Sequence, residues 1–233
     1  MKIIVTGAIG HIGSYVIRDL GVFFPKSEIV MIDNMMTQRF PSLFNLPQGV
    51  NYQFIEGDVS QMDLKLIFTG ADAVIHLAAI TDAAGSIDMA EELEANNFHS
   101  TLKVAEACLD SGSALIALSS TSVYGKQQYG LLTEEIEPKP DNFRGEIILK
   151  YEHRIKSEID VQTNILRFAG LYDPKEKTPE FHYKLSRNTA SNIIEHFIHS
   201  KKSGLFNCLE DNDLISNGRN IINDKLKNSG FNF

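Results

Sequence analysis

Cysteine is nearly missing from this chain. Cys108 and Cys208 are the two present, they stand far apart, and each sits in an apolar stretch. That excludes a disulfide framework or a cysteine zinc cluster, and both read as small buried hydrophobes. Long apolar runs are missing too. Ile3-Ile4-Val5 after Met1-Lys2 is too short for the core of a secretory signal, and no later run would span a bilayer; the expectation is a cytoplasmic protein. The third absence is an excess of positive charge. With 22 Lys and Arg against 30 Asp and Glu, the net charge is -8, so neither nucleic acid nor an anionic membrane surface is the expected partner. A small molecule is. Internal repeats, low-complexity tracts and long linkers are absent as well.

What remains is an ordinary globular balance: 233 residues, 43% hydrophobic and 22% charged, enough for a large core or a core with a small lobe. Short apolar runs read as strands at Ile3 to Val5, Ile29 to Ile32, Tyr52 to Ile55, Ala73 to Leu77, Leu115 to Leu118, Ile165 to Phe168 and Leu205 to Cys208. Helical spacing lies between most of them, at Ile12 to Leu20, Met62 to Phe68, Ala90 to Cys108 and Gly145 to Ile159. Strands apolar on both faces imply a parallel sheet covered by helices on each side, so the predicted class is α/β, doubly wound. Composition shifts after Asp173, where a charged, proline-bounded stretch from Pro174 to Pro179 precedes a segment rich in Asn, Ser and Lys. The expected division is a nucleotide-binding part over 1–173 and a reduced C-terminal lobe over 174–233, packed on the first.

The clearest motif follows the first strand. Thr6-Gly7-Ala8-Ile9-Gly10-His11-Ile12-Gly13 places three glycines between a strand and a helix. Gly7 permits a tight turn, Gly10 leaves room for a phosphate to approach the backbone, and Gly13 lets helix and strand pack closely, as in Rossmann-type dinucleotide sites. The helix start then favours a pyrophosphate. Taken alone a glycine triplet marks only a tight turn, but Asp33 ends the second strand about twenty residues on, where a carboxylate can accept hydrogen bonds from a ribose. Asp33 would repel a 2'-phosphate, which points to NAD, while Arg39 nearby keeps NADP open. Gly57-Asp58-Val59 could read an adenine edge or be a common loop ending. His76-Leu77-Ala78-Ala79 ends the fourth strand with small residues suited to a close cofactor; His76 by itself reads as a satisfied core histidine.

These residues resemble the extended short-chain dehydrogenase/reductases, the group of NAD-dependent nucleotide-sugar epimerases and dehydratases. The resemblance rests on the glycine turn, Asp33-Asn34, Gly57-Asp58-Val59, His76 to Ala79, Asn97 to Thr101 as N-x-x-x-T, Ser119 to Gly125 as SSTSVYG, and Leu166-Arg167-Phe168, and it covers roughly the first 170 residues in order. It implies cofactor contacts at Gly7, Ile9, Gly10, His11, Ile12, Gly13, Asp33, Asn34, Asp58, Val59, Leu77, Ala78, Ala79, Asn97 and Ser119. It also implies a substrate-orienting hydroxyl at Ser120 and a nucleotide sugar or related polyol as ligand. Tyr124 is a possible proton donor or, as the tyrosine of VYG, a packing residue.

The same resemblance exposes one more absence. Such enzymes use a tyrosine base with a lysine four residues later, which lowers the phenol's pKa from near 10. None of the seven tyrosines here has a lysine at that spacing; Tyr183 with Arg187 is the nearest imitation. Counting back from Glu152, Arg144 and Ile148 take the two positions, and shifting the register by one gives Phe143 and Ile147. Arginine is a poor base and isoleucine cannot hold a ribose; Arg144 could bind a phosphate or carboxylate, or be a solvated first-turn residue. Tyr124, Tyr129 and Tyr151 remain as possible substitutes.

Relatives carry a longer C-terminal portion, and here Ala190 to His199 reads as a helix, Gly204 to Asn207 as a strand and Asp224 to Phe231 as a closing segment. His196, His199 and Glu195 offer no evident third converging ligand, so no metal is assigned. Leu93, Leu102, Val104 and Ile148 would permit homodimer pairing through two helices, or are simply core. Three functions stay open: an epimerase/dehydratase-like enzyme with non-standard acid/base groups, an inactive dinucleotide-binding regulatory or partner protein, and a reductase needing only hydride delivery.

Overall fold

The structure is a computed structural model that describes residues 1–80, 94–175, 183–200, 202–211 and 218–233. In chain order the elements begin with β1 (Lys2–Thr6), α1 (Gly13–Phe23), β2 (Glu28–Asp33), β3 (Asn51–Glu56), α2 (Leu64–Phe68) and β4 (Ala73–His76). A π-helical turn over Glu94–His99 leads into α3 (Ser100–Ser111), β5 (Ala114–Ser120), β6 (Gly130–Leu132), α4 (Phe143–Glu158), β7 (Thr163–Phe168) and β8 (Gly170–Tyr172). The chain closes with β9 (Lys184–Ser186), α5 (Arg187–His199), β10 (Gly204–Cys208), β11 (Arg219–Ile221) and α6 (Asp224–Asn228).

Seven strands form one parallel sheet in the order β10-β7-β5-β4-β1-β2-β3. Each of the seven apolar runs read as a strand becomes one of these seven. For the inner strands the reason is burial on both faces: Ile3, Ile4, Val5, Val74, Ile75 and Leu115 are fully enclosed, and apolar side chains of this size each stabilise the fold by about 1.5–3 kcal/mol; β3, at the edge, is half exposed. The strands that escaped sequence reading, β6, β8, β9 and β11, are three residues each and form two two-stranded pairs, β11-β6 and β8-β9. Runs that short carry no periodic signal.

Helix boundaries follow local chemistry. Asn142 starts α4 by accepting the Gly145 N–H at 2.9 Å, and Ser186 starts α5 by accepting the Thr189 N–H at 3.1 Å, three residues earlier than the apolar spacing indicated. Gly112 stops α3 in the left-handed region at φ 70°. The expected helix Ala90 to Cys108 is helical from Glu94 onward, and its residues 90–93 lie outside the described residues.

β10 adds to the sheet edge beside β7, and α5 packs against α1, so elements following residue 173 share the main core. Leu102, Val104 and Ile148 are buried within the chain itself. Of the two alternatives for these three, core packing accounts for their burial, with Ile148 also reaching the cavity described below. Leu93 lies outside the described residues. No helix among the described residues is long and apolar enough to cross a membrane.

Candidate functional site

The sheet order steps outward from β1 toward β2 and β3 on one side and toward β4, β5, β7 and β10 on the other. Loops leaving the C-terminal ends of neighbouring strands therefore diverge between β1 and β4, and a crevice must open there. A cavity of about 660 Å³ fills it. Gly7, Asp33, Gly57, Leu77, Ser119 and Ala169, each at or just past the end of a different strand, all line it. So do all the sequence-derived cofactor and substrate candidates except Ile9, while of the tyrosines offered as proton donors Tyr151 lines it and Tyr124 and Tyr129 do not.

The three glycines differ in what they are needed for. Gly7 has φ +67° and a Cβ there would stand 2.6 Å from the Ala78 nitrogen, so both backbone and space demand glycine. A Cβ on Gly13 would fall 2.1 Å from the Gly7 carbonyl oxygen. Gly10 is different: its Cβ would meet only that same oxygen, at 3.2 Å, and would otherwise project where the cavity lies. The contact at Gly10 is tight but single, so the fold constrains Gly10 less than it does Gly7 or Gly13.

Asp33 braces this turn while facing the cavity. Its carboxylate accepts the Ile9 N–H at 3.1 Å and the Met35 N–H at 2.9 Å. Ile9 is thereby corrected as a wall residue: its side chain is fully buried, and it acts through its backbone. Beside it Asn34 donates to Asp58 at 3.4 Å, and Asp58 accepts the Ser60 N–H at 2.8 Å. Partial burial would raise the Asp58 pKa, but the hydrogen bonds from Ser60 and Asn34 and the charge of Lys103 outweigh it and hold the carboxyl below its ordinary range. Arg39 and Val59 also line this end.

His76 is a core histidine with both nitrogens satisfied. Thr101 donates its hydroxyl to the Asn97 carbonyl at 2.5 Å, so toward the ring it can only accept, and the proton sits on Nε2, 3.0 Å away. Nδ1 then accepts from Thr6 at 2.7 Å, and the Thr6 oxygen accepts the Ala78 N–H at 3.4 Å. Burial lowers the His76 pKa to about 4, keeping the ring neutral. Asn97 clamps the loop after β4 by accepting the Ile80 N–H at 2.7 Å and donating to the Ile80 carbonyl at 2.9 Å.

At the other end Arg144, Ile148 and Tyr151 line the cavity together with Ser119 and Ser120. Their spacing along α4 puts them on one helical face. The Tyr151 hydroxyl donates to the Leu118 carbonyl at 2.7 Å, and burial pushes its pKa far above the usual phenol value. Ser120 accepts the Ser122 N–H at 3.2 Å. Behind this wall Ser119 donates to Glu152, which pairs with Arg167 through two hydrogen bonds of 3.0 and 2.6 Å, and Arg167 donates to the Tyr124 hydroxyl at 2.8 Å. All four are largely enclosed. Tyr124 as a proton donor is thus corrected: its hydroxyl is buried, donates toward the Thr133 carbonyl at 2.8 Å, and does not line the cavity.

A family description, "NAD dependent epimerase/dehydratase family", matches residues 3–145, more than half the chain. The protein belongs to this family. Among its relatives, an uncharacterized UDP-glucose epimerase of Bacillus subtilis (strain 168) is 28% identical over 222 residues, covering 91% of this chain and 70% of the relative. The UDP-glucose 4-epimerase of Yersinia enterocolitica is 32% identical over 141 residues, 58% of this chain and 41% of that protein. The fold agrees with a UDP-glucuronic acid 4-epimerase from Bacillus cereus solved in complex with NAD, at TM-score 0.77 and 24% identity over 91% of this chain and 78% of that one. It also agrees with a UDP-N-acetylglucosamine 4-epimerase from Methanobrevibacter ruminantium M1, at TM-score 0.79 and 22% identity over 89% and 76%.

Within this epimerase/dehydratase chain, residues on the cavity wall that sequence reading passed over include Met36, Thr37, Leu118, Ala169 and Leu171. The last two follow β7, and the rule that ligands sit at strand C-terminal ends could have found them. Met36 and Thr37 carried no signal. Tyr129 is exposed. His196 meets Ser229 at 3.0 Å and His199 meets Glu195 at 3.3 Å, so the two histidines serve different partners. Cys108 and Cys208 are buried, which raises both thiol pKa values.

Proposed function

We propose that this chain binds NAD, and a nucleotide sugar or related polyol beside it, as an epimerase/dehydratase-like protein with non-standard acid/base residues. The observation that carries the reading is the glycine turn, whose Gly7, Gly10 and Gly13 line one cavity with Asp33 and Asp58 at the C-terminal ends of the strands. In this reading Gly7, Gly10, His11, Ile12 and Gly13 hold the pyrophosphate, Asp33 and Asn34 an adenosine ribose, and Asp58 and Val59 the adenine. Leu77 to Ala79, Asn97 and Ser119 flank the remainder. NAD, when bound, supplies a hydride acceptor. The part over 1–173 carries these contacts, and the segments beyond it form a reduced substrate lobe.

On the proton side, counting back from Glu152 supports reading Arg144 and Ile148 at the positions of the family's tyrosine and lysine, and both line the cavity. Ser120 orients the ligand, and Arg144, whose guanidinium can only donate hydrogen bonds, holds a negatively charged or carbonyl oxygen rather than removing a proton. Denaturing the purified protein and identifying released small molecules by mass spectrometry tests the reading; NAD together with a nucleotide sugar is the expected result. A chain that binds neither NAD nor NADP on titration would end it.

A second reading, an inactive dinucleotide-binding partner or regulatory protein, draws on Tyr151. It is the one phenol lining the cavity among the described residues, and its hydroxyl is committed to Leu118 and its pKa raised, so it is no base at neutral pH. Tight NAD binding with no turnover across a panel of nucleotide sugars would select this reading over the first.

A further inference from the structure

The outer side of the glycine turn is gripped from the C-terminal part of the chain. Arg187, the first residue of α5, ion-pairs with Asp173 at 3.0 Å, and both side chains are mostly enclosed. The guanidinium lies over the Tyr15 ring, 4.5 Å from its centroid, and donates to the Tyr15 hydroxyl. A second arm reaches the His11 Nε2 at 3.0 Å. Tyr15 is in the first turn of α1, and His11 is in the loop that opens it. A small cavity lies behind this contact, with Arg187 and Ser191 on its far side, while His11, Ile12 and Leu171 line both it and the main cavity. The wall between Arg187 and the dinucleotide cleft is therefore one side chain thick.

Arginine can only donate, so His11 Nε2 accepts and the ring's proton belongs on Nδ1. This orients the imidazole and anchors it to the Arg187–Asp173 ion pair behind a loop whose residues line the cavity. The two partners are 176 residues apart in sequence, and the grip exists only when α5 is docked on α1.

We propose that Arg187 is a positioning residue for the dinucleotide: through His11 it fixes the pyrophosphate turn and makes cofactor affinity depend on the docked C-terminal part. The inference rests on the NAD reading above. Titration of NAD by calorimetry, on the full chain and four variants, tests it beside melting curves taken without cofactor. Arg187→Met and His11→Phe should each weaken NAD binding about tenfold, and the double variant also about tenfold, because both remove one contact. Arg187→Lys, which keeps a charged donor near the His11 Nε2, should recover part of the affinity lost in Arg187→Met. His11→Phe leaves Arg187 paired with Asp173 and Tyr15, so its melting temperature without NAD should stay near wild type; an affinity loss there is not unfolding. Single variants that bind NAD like wild type, or a double loss near the product of the two (about a hundredfold), would overturn the proposal. A wild-type chain that binds neither NAD nor NADP would instead overturn the reading beneath it, and this inference with it.

Discussion

Gly10 and Gly13 sit three residues apart in one turn and should respond oppositely to an added side chain. Gly10→Val puts its bulk into the cleft, so NAD binding should drop at least tenfold while the melting temperature falls little. Gly13→Ala drives a Cβ to within 2.1 Å of the Gly7 oxygen, and the helix must shift; a loss of roughly 1–3 kcal/mol in urea unfolding is expected. His76 provides a pH test. Its folded pKa, near 4, is below that of an unfolded histidine, so between about pH 6.5 and 4 the unfolded chain binds the extra proton. Stability from this group is complete above the unfolded value and declines as pH falls, by up to about 3 kcal/mol. Urea midpoints at pH 7, 5.5 and 4.5 should show the slope, and His76→Asn should flatten it from a lower starting stability.

At the scale of elements, α4 lines the cavity together with Ser120, and its start depends on the Asn142 cap. Asn142→Ala should cost about 1 kcal/mol by chemical denaturation and, by fraying the turn that bears Arg144, weaken the ligand that Arg144 faces more than it weakens NAD. A loss confined to stability, with ligand affinity intact, would show that the first turn does not hold the site. The buried Glu152–Arg167 pair joins the same helix to β7. Arg167→Met leaves a carboxylate in the core beside Ser119, and about 3–5 kcal/mol of destabilisation is expected from equilibrium unfolding. Replacing both partners with apolar residues should recover much of that loss.

For the whole molecule, a cofactor that binds only the folded chain raises its stability by mass action. At a free NAD concentration a hundredfold above Kd the gain is about 2.7 kcal/mol, which at this chain length should move the melting midpoint upward by roughly 5–10 °C. In Arg187→Met the midpoint shift at the same NAD concentration should shrink, because affinity has fallen. The sheet that unites these responses was legible from its strands. Ile3 to Val5, Ile29 to Ile32 and Leu115 to Leu118 are apolar without interruption, and that pattern has few explanations other than a strand covered on both faces. The π-helical turn at Glu94–His99 and the three-residue strands were not legible, because neither leaves a repeat long enough to measure.

The sequence by itself determined the parallel sheet, the glycine turn with Asp33 behind it, and the absence of any tyrosine with a lysine four residues later. All three are written in neighbouring residues, where spacing and residue type restrict the backbone directly. Only the tertiary structure decided that Tyr124 turns into the core while Ser120 stays on the wall, that Glu152 closes on Arg167, and that Arg187 meets His11 from the other end of the chain. Those pairings depend on which helix covers which strand, and charge or polarity at one position carries no record of a partner that folding alone brings within 3 Å.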